Sequence, residues 1–231
     1  MSYDQFATTF SKSRHNHPWP ELDSIIDDIK KQWYKNILDI GCGNGRFLEE
    51  GKNHGYTSEG YLGLDSSSGM IEEAKRLHPW YQFEVGDMTH IASLLCHCED
   101  GRDGAIHAQG APSPHFVRED GMWDAILFLA SFHHLESREA RLQVLQNTKN
   151  LLAKEGHIYL TNWNLWDQPR YESVHRGDGD YDIKIGAYSR YYHGFTLDEL
   201  AWLFRESGYR IIENRIFAWG RNIVSILTYA D

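Results

Sequence analysis

The sequence predicts an α/β fold, a mostly parallel sheet of seven strands with helices on both faces, closed by an antiparallel hairpin at its C-terminal end. Three observations carry this. Short apolar runs alternate with amphipathic segments along most of the chain, as in successive strand–helix units. The first run, Ile37-Leu38-Asp39-Ile40, passes straight into Gly41-Cys42-Gly43-Asn44-Gly45, the pattern of a buried strand entering a tight turn before a helix. The last two runs, 209–217 and 222–229, have only a turn at Trp219-Gly220 between them and read as a hairpin. The 231 residues suit one domain, 1–231.

Each element follows in order. Residues 1–33 predict an N-terminal helical cap: Phe6 and Phe10 stand at helical spacing before Pro18-Trp19-Pro20, and Leu22, Ile25, Ile26, Ile29 and Trp33 form an apolar stripe from Glu21 onward. Between these segments Arg14 is either a solvated surface residue or a bidentate clamp for a carboxylate. Tyr61 to Asp65 reads as the second strand, with Ser66-Ser67-Ser68 capping a helix that shows Met70, Ala74 and Leu77 on one face. The third strand, Tyr81 to Val85, precedes Gly86-Asp87-Met88. Residues 93–120 are an insertion without periodicity. Its Cys96, His97, Cys98 and His115 lack the spacing of a zinc knuckle, and no metal site is expected.

Trp123 to Ala130 is the most strand-like run, with Leu129 near its end, and Ser131-Phe132-His133-His134-Leu135 closes it. Open α/β sheets bind ligands beyond the carboxyl ends of their strands, so His133 and His134 are expected at the cleft. A helix over 138–152, ended by Gly156, leads to a fifth strand, His157 to Thr161, which delivers Trp163 and Trp166 to the same edge. Those indoles either stack on a base or cover the core. Residues 167–195, polar and rich in Gly and Tyr, predict a lid on the acceptor side, followed by a helix over 195–205.

Composition narrows the function. The net charge of −10 disfavours bulk electrostatic binding of nucleic acid and leaves room for a local basic patch. No apolar run is long enough to cross a bilayer, and the polar N-terminal stretch lacks a signal-peptide core, so a cytoplasmic protein without membrane contact is expected. Three cysteines do not make a disulfide scaffold.

The glycines allow backbone conformations and a close ligand approach that side chains would block. Arg46 occupies the position of a dinucleotide fingerprint's third glycine, which argues against NAD or FAD. Asp39 adds an anion that suits an ammonium or sulfonium ligand, and Asp65 stands where a carboxylate accepts both ribose hydroxyls. The stretch 36–47 resembles motif I of the class I S-adenosylmethionine methyltransferases, a Rossmann-like fold. The resemblance implies S-adenosylmethionine as cofactor, bound by Arg14, Asp39, Gly41, Gly43, Asp65, Ser66, Met70, Asp87, Met88 and Leu129, with Asp87 receiving the adenine amino group and the next N–H a ring nitrogen.

A narrower resemblance rests on Phe10-Ser11-Lys12-Ser13-Arg14, Pro18-Trp19-Pro20, His133-His134 with Arg138 and Arg141, and Arg190-Tyr191-Tyr192-His193-Gly194-Phe195 before Glu199-Leu200. Together they are similar to the tRNA wobble-uridine methyltransferases and the methyltransferase domain of the AlkB-homologue tRNA enzymes, which esterify a carboxymethyl group on the anticodon uridine. This resemblance implies the tRNA anticodon loop as partner and, for some members, a small activator protein. It makes Arg190, His193, His133 and His134 the catalytic candidates and Trp163, Tyr191 and Tyr192 the substrate-binding ones. Two departures stand out: the insertion from Ser93 to Asp120, and Asp182-Ile183-Lys184-Ile185-Gly186 in place of a Pro-Trp-Lys segment. A small-molecule acceptor and a non-catalytic scaffold of the same fold are the alternative expectations.

Overall fold

The structure, a computed structural model, describes residues 19–91, 122–185, 188–217 and 220–230; Arg14, the rest of the segment before Trp19, the whole 93–120 insertion and Trp219 lie outside them. The elements in chain order are α1 (Pro20–Lys31), β1 (Asn36–Ile40), α2 (Arg46–Asn53), β2 (Gly60–Asp65), α3 (Ser68–Leu77), β3 (Gln82–Val85), β4 (Trp123–Leu129), α4 (Arg138–Lys149), β5 (Leu152–Trp163), β6 (His175–Gly177), β7 (Asp180–Ile185), β8 (Tyr188–His193), α5 (Leu197–Glu206), β9 (Tyr209–Ile216) and β10 (Asn222–Tyr229).

Seven strands form one sheet in the order β3-β2-β1-β4-β5-β10-β9. Pairing is parallel from β3 to β5 and antiparallel where β10 joins β5 and β9 joins β10. Side chains of a strand alternate between faces, so each central strand feeds two cores. Leu38, Leu62, Ile126 and Ile158 pack with Val144 and Leu145 of α4 and Leu200 and Leu203 of α5. On the opposite face Ile37, Tyr61, Leu127 and Tyr159 pack with Leu22, Ile25 and Ile29 of α1, Phe47 of α2 and Ile71 of α3. Strand order reverses at β1 and β4, and the crevice between their carboxyl ends is where such sheets hold a ligand.

Two expectations are corrected. Trp33 is not part of the α1 stripe; it follows the helix in a left-handed conformation, φ 60°, and is 82% exposed. Helix α4 ends at Lys149 rather than 152, and Gly156 lies within β5, not at a helix end. The register jumps there from Trp123↔Leu152 to Ala125↔His157, and a Cβ on Gly156 would come within 2.8 Å of the Asp124 carbonyl oxygen, so this irregularity needs glycine. The segment expected to form a lid on the acceptor side, 167–195, contains the antiparallel sheet β6-β7-β8. Tyr181 and Ile183 of β7 and Tyr192 of β8 are buried with Leu165, and this small core gives the polar segment its order.

Candidate active site

The turn after β1 is built from glycines because it runs backwards through φ space. Gly41, Gly43 and Gly45 have φ of +76°, +57° and +80°, values costly for any residue with a Cβ. Gly41 is also pressed on Ser131, whose Cβ would lie 2.3 Å from a Cβ placed there, while the Ser131 hydroxyl donates to the Ile40 carbonyl at 2.6 Å. Asp65, at the end of β2, fastens the loop: its Oδ2 accepts from the Gly43 N–H and its Oδ1 from the Ser67 N–H, both at 2.9 Å. Ser67, not Ser66, is the α3 cap, accepting from the Met70 N–H, and Ser66 is left exposed on the cleft.

Asp39 is fully buried behind this loop, and Tyr61 donates to its Oδ2 at 2.8 Å. Burial, with the Asp65 charge beside it, outweighs that hydrogen bond and pushes the Asp39 carboxyl up to about 7. It does not line the cleft. Asp87 caps a short turn, its Oδ1 accepting from the Thr89 N–H and hydroxyl at 2.9 and 2.8 Å.

One cleft of about 1310 Å³ runs along these carboxyl ends. It brings together Gly41, Gly43, Asp65, Ser66, Met70, Asp87, Met88 and Leu129 on one side, and His133, His134, Trp163, Arg190, Tyr191 and Tyr192 on the other. Ala130, between the two halves, has φ 54°, an uncommon state for a residue with a Cβ; its N–H is held by the Thr161 carbonyl and hydroxyl at 3.0 and 2.9 Å.

The two histidines are held as opposite neutral tautomers. Trp163 donates its N–H to His133 Nδ1 at 3.4 Å, which leaves the proton on Nε2, a buried atom that makes no hydrogen bond among the described residues and has Asn162 for a neighbour. His134 donates from Nδ1 to the Tyr191 carbonyl at 3.0 Å. Burial first, then the charges of Arg190 and His193, push the His133 pKa down to about 3; burial and the neighbouring His133 and Arg190 also lower that of His134. Aromatic rings continue the wall: Tyr192 stacks on Trp163 with centroids 4.8 Å apart, Trp163 stacks on Tyr171 at 6.2 Å, and the Arg170 guanidinium lies 4.6 Å over Tyr171.

His193 stands elsewhere than expected. It is buried off the cleft between two carboxylates, Nδ1 2.8 Å from Asp180 Oδ1 and Nε2 2.9 Å from Glu199 Oε1, and so touches no reacting group. Strand alternation is the reason: Arg190 and Tyr192 share one face of β8, and His193 belongs to the other. Sequence reasoning also missed cleft residues. Trp19 and Glu21 enter from the start of α1, and Arg46, Arg170, Tyr171, Arg221 and Asn222 complete the rim. Asn222 donates to the buried Glu21 carboxylate, joining the first and last elements of the sheet's layers, a contact without local signal in the sequence.

Residues 14–214 match the family model described as a methyltransferase domain. The chain belongs to this methyltransferase family. A Saccharomyces cerevisiae relative named tRNA (carboxymethyluridine(34)-5-O)-methyltransferase is 27% identical over 76% of this chain and 51% of its own length. A Schizosaccharomyces pombe relative of the same name is 24% identical over 92% of this chain and 88% of its own. The chain thus spans about half of the first and most of the second. Among solved structures, an S-adenosylmethionine-dependent methyltransferase from Clostridium acetobutylicum superposes with a TM-score of 0.65, 11% identity and 99% coverage of both chains. The complex between the Haloferax volcanii Trm112 methyltransferase activator and a methyltransferase superposes with a TM-score of 0.66, 14% identity and coverage of 99% and 98%. The Rossmann-like methyltransferase fold is therefore that of this chain.

S-adenosylmethionine, the methyl donor of that fold, suits the donor set. The Gly41–Gly45 cradle has no room for side chains, the Asp65 carboxylate stands on the cleft at the end of β2, Met70 and Leu129 give apolar walls, and Asp87 Oδ2 remains as an acceptor beyond its turn. Among the described residues no group of three His, Cys, Asp or Glu side chains is placed to hold a metal ion, and no helix is long and apolar enough to cross a membrane.

Proposed function

We propose that this methyltransferase uses S-adenosylmethionine to esterify the carboxylate of a carboxymethyluridine at the tRNA wobble position, in the cytoplasm and with a small activator protein as partner. The observation that carries this reading is Arg190 set beside two histidines kept neutral in the acceptor half of the cleft. A hydroxyl or ammonium acceptor must lose a proton, and a general base works best with a pKa near the operating pH. His133, at about 3, is far from that. A carboxylate arrives already ionised and needs a cation to hold it.

Arg190 supplies that cation. The bound cofactor supplies an electrophilic methyl on a sulfonium, and the protein's part is to align the carboxylate oxygen in line with it, since near-attack geometry accounts for most of the help such a displacement can receive. Tyr192 and Trp163 present aromatic surface beside Arg190, which suits a nucleobase. Arg170 and Arg221 place positive charge at the rim of an otherwise acidic protein. The names of the yeast relatives point to the same substrate.

Arg190→Ala tests the assignment. The expected outcome is a raised acceptor KM or a lowered kcat, at least tenfold in kcat/KM, with the cofactor Kd unchanged in a calorimetric titration. Loss of cofactor binding in that variant would contradict it.

A further inference from the structure

Resting on the reading that Arg190 and Tyr192 meet the acceptor, we propose that Arg141, Asp180, Glu199, Tyr191 and His193 form a half-buried anchor that positions the acceptor face of β8. Five side chains from four elements converge beside the acceptor half of the cleft, Tyr191 also reaching the cleft wall. Tyr191 donates its hydroxyl to Asp180 Oδ1 at 2.6 Å, and Arg141 Nη2 donates to that hydroxyl at 3.0 Å. His193 lies between Asp180 and Glu199, at 2.8 and 2.9 Å. Arg141 Nη1 approaches Glu199 Oε1 at 3.7 Å, and its Nε and Nη2 both donate to the Leu135 carbonyl, at 3.1 and 2.9 Å.

Charge and geometry both indicate a closed unit. Both ring nitrogens of His193 face carboxylates, an arrangement an imidazolium fills by donating twice. With Arg141 it balances Asp180 and Glu199. Arg141 and His193 are each 4% exposed and sit inside, while the Asp180 and Glu199 side chains, 36% and 26% exposed, close the cluster on the water side. Glu199 stands at the third position of α5, where a Thr-x-x-Glu sequence usually turns its carboxylate back to the cap residue; Thr196 does cap the helix, yet the Glu199 carboxylate is spent on His193. A partly solvated ionic cluster of this kind adds little net stability, and its use here is to fix position.

What it positions follows from the strand period. Tyr191 and His193 occupy one face of β8 and enter the anchor; Arg190 and Tyr192 occupy the other, where Tyr192 packs against Trp163, His133 and His134. Arg141 ties that strand to Leu135, the residue directly after the two histidines. One guanidinium therefore sets the distance between the two lips of the acceptor half. These are positioning residues, acting through Arg190 and Tyr192.

The test compares Tyr191→Phe and Arg141→Lys with the parent chain, by methyl transfer to carboxymethyluridine tRNA, calorimetric cofactor Kd and backbone hydrogen exchange. Tyr191→Phe keeps the ring and removes only the hydroxyl; Arg141→Lys keeps the charge and removes the fork. The expected result is an unchanged cofactor Kd, faster exchange confined to β7 and β8, and transfer lowered roughly ten- to a hundredfold. Unchanged exchange in β8, or transfer at the parent rate, would overturn the anchor; so would faster exchange throughout β1 to β5 with weakened cofactor binding, which marks a merely structural role. If the parent chain itself transfers nothing to that RNA while β8 loosens in both variants, the substrate reading fails and the anchor stands.

Discussion

At the scale of single residues, Gly41 and Asp39 set the strain and the pH response of the region around the β1 turn. Gly41 combines a φ of +76° with a Cβ position 2.3 Å from Ser131 Cβ. Gly41→Ala is expected to cost about 2–4 kcal/mol, from left-handed strain plus overpacking, and to abolish cofactor binding; denaturant unfolding and calorimetry would show both. Asp39 makes stability depend on pH. Burial raises its carboxyl from 3.8 to about 7, so between those values the unfolded chain has released a proton that the folded chain keeps. Stability of the cofactor-free protein therefore falls as pH rises from about 4 to about 7 and then levels, by at most about 4 kcal/mol from this group. Asp39→Asn, with the Tyr61 hydrogen bond still available, is expected to lose that fall. A variant whose unfolding midpoint tracks pH as the parent's does would remove Asp39 from the account. The glycines and Asp65 were legible in the sequence because local backbone demands write them there. Glu21 and Asn222 were not, since their contact joins positions at opposite ends of the chain.

At the scale of elements, β4 and β8 decide the acceptor half. β4 is followed by Ala130 at φ 54°, which turns the chain so that Ser131 meets the glycine loop and His133 the cleft. Glycine would relieve that strain, and Ala130→Gly is expected to leave the thermal midpoint equal or raised, by up to about 1 kcal/mol in stability, once its greater chain entropy is set against it. A clear loss of stability would mean the left-handed turn is not strained. In β8 the segment Arg190-Tyr191-Tyr192-His193 was recognisable as a motif, yet the motif alone treats its members as one group. Period-two alternation divides them, Arg190 and Tyr192 on one face and Tyr191 and His193 on the face of Asp180, with Tyr191 still reaching the cleft wall, and this could be seen only once residues 188–193 were known to be a strand. Glycine and tyrosine in a polar stretch masked that strand, just as Gly156 suggested a helix end while sitting inside β5.

At the scale of the whole molecule, the order β3-β2-β1-β4-β5-β10-β9 follows from features the sequence showed plainly: apolar runs of strand length, amphipathic segments between them and a final hairpin without a helix. Charge is distributed less evenly than the net −10 suggests, with Arg46, Arg170, Arg190 and Arg221 all on the cleft. Those side chains allow only a few phosphate contacts, so tRNA affinity is expected to show a shallow salt dependence, a log–log slope of about −2 to −3 for three to four contacts to single-stranded phosphates. A much steeper slope for the isolated chain would point to a basic surface beyond the cleft. The central claim is an ester made on an ionised carboxylate. It is tested most directly by supplying S-adenosylmethionine with a labelled methyl to tRNA bearing carboxymethyluridine, together with an activator subunit, and treating the product with mild alkali. The expected result is label that enters the RNA and is released by alkali; label that stays, or no transfer by a chain shown to bind the cofactor, would contradict it.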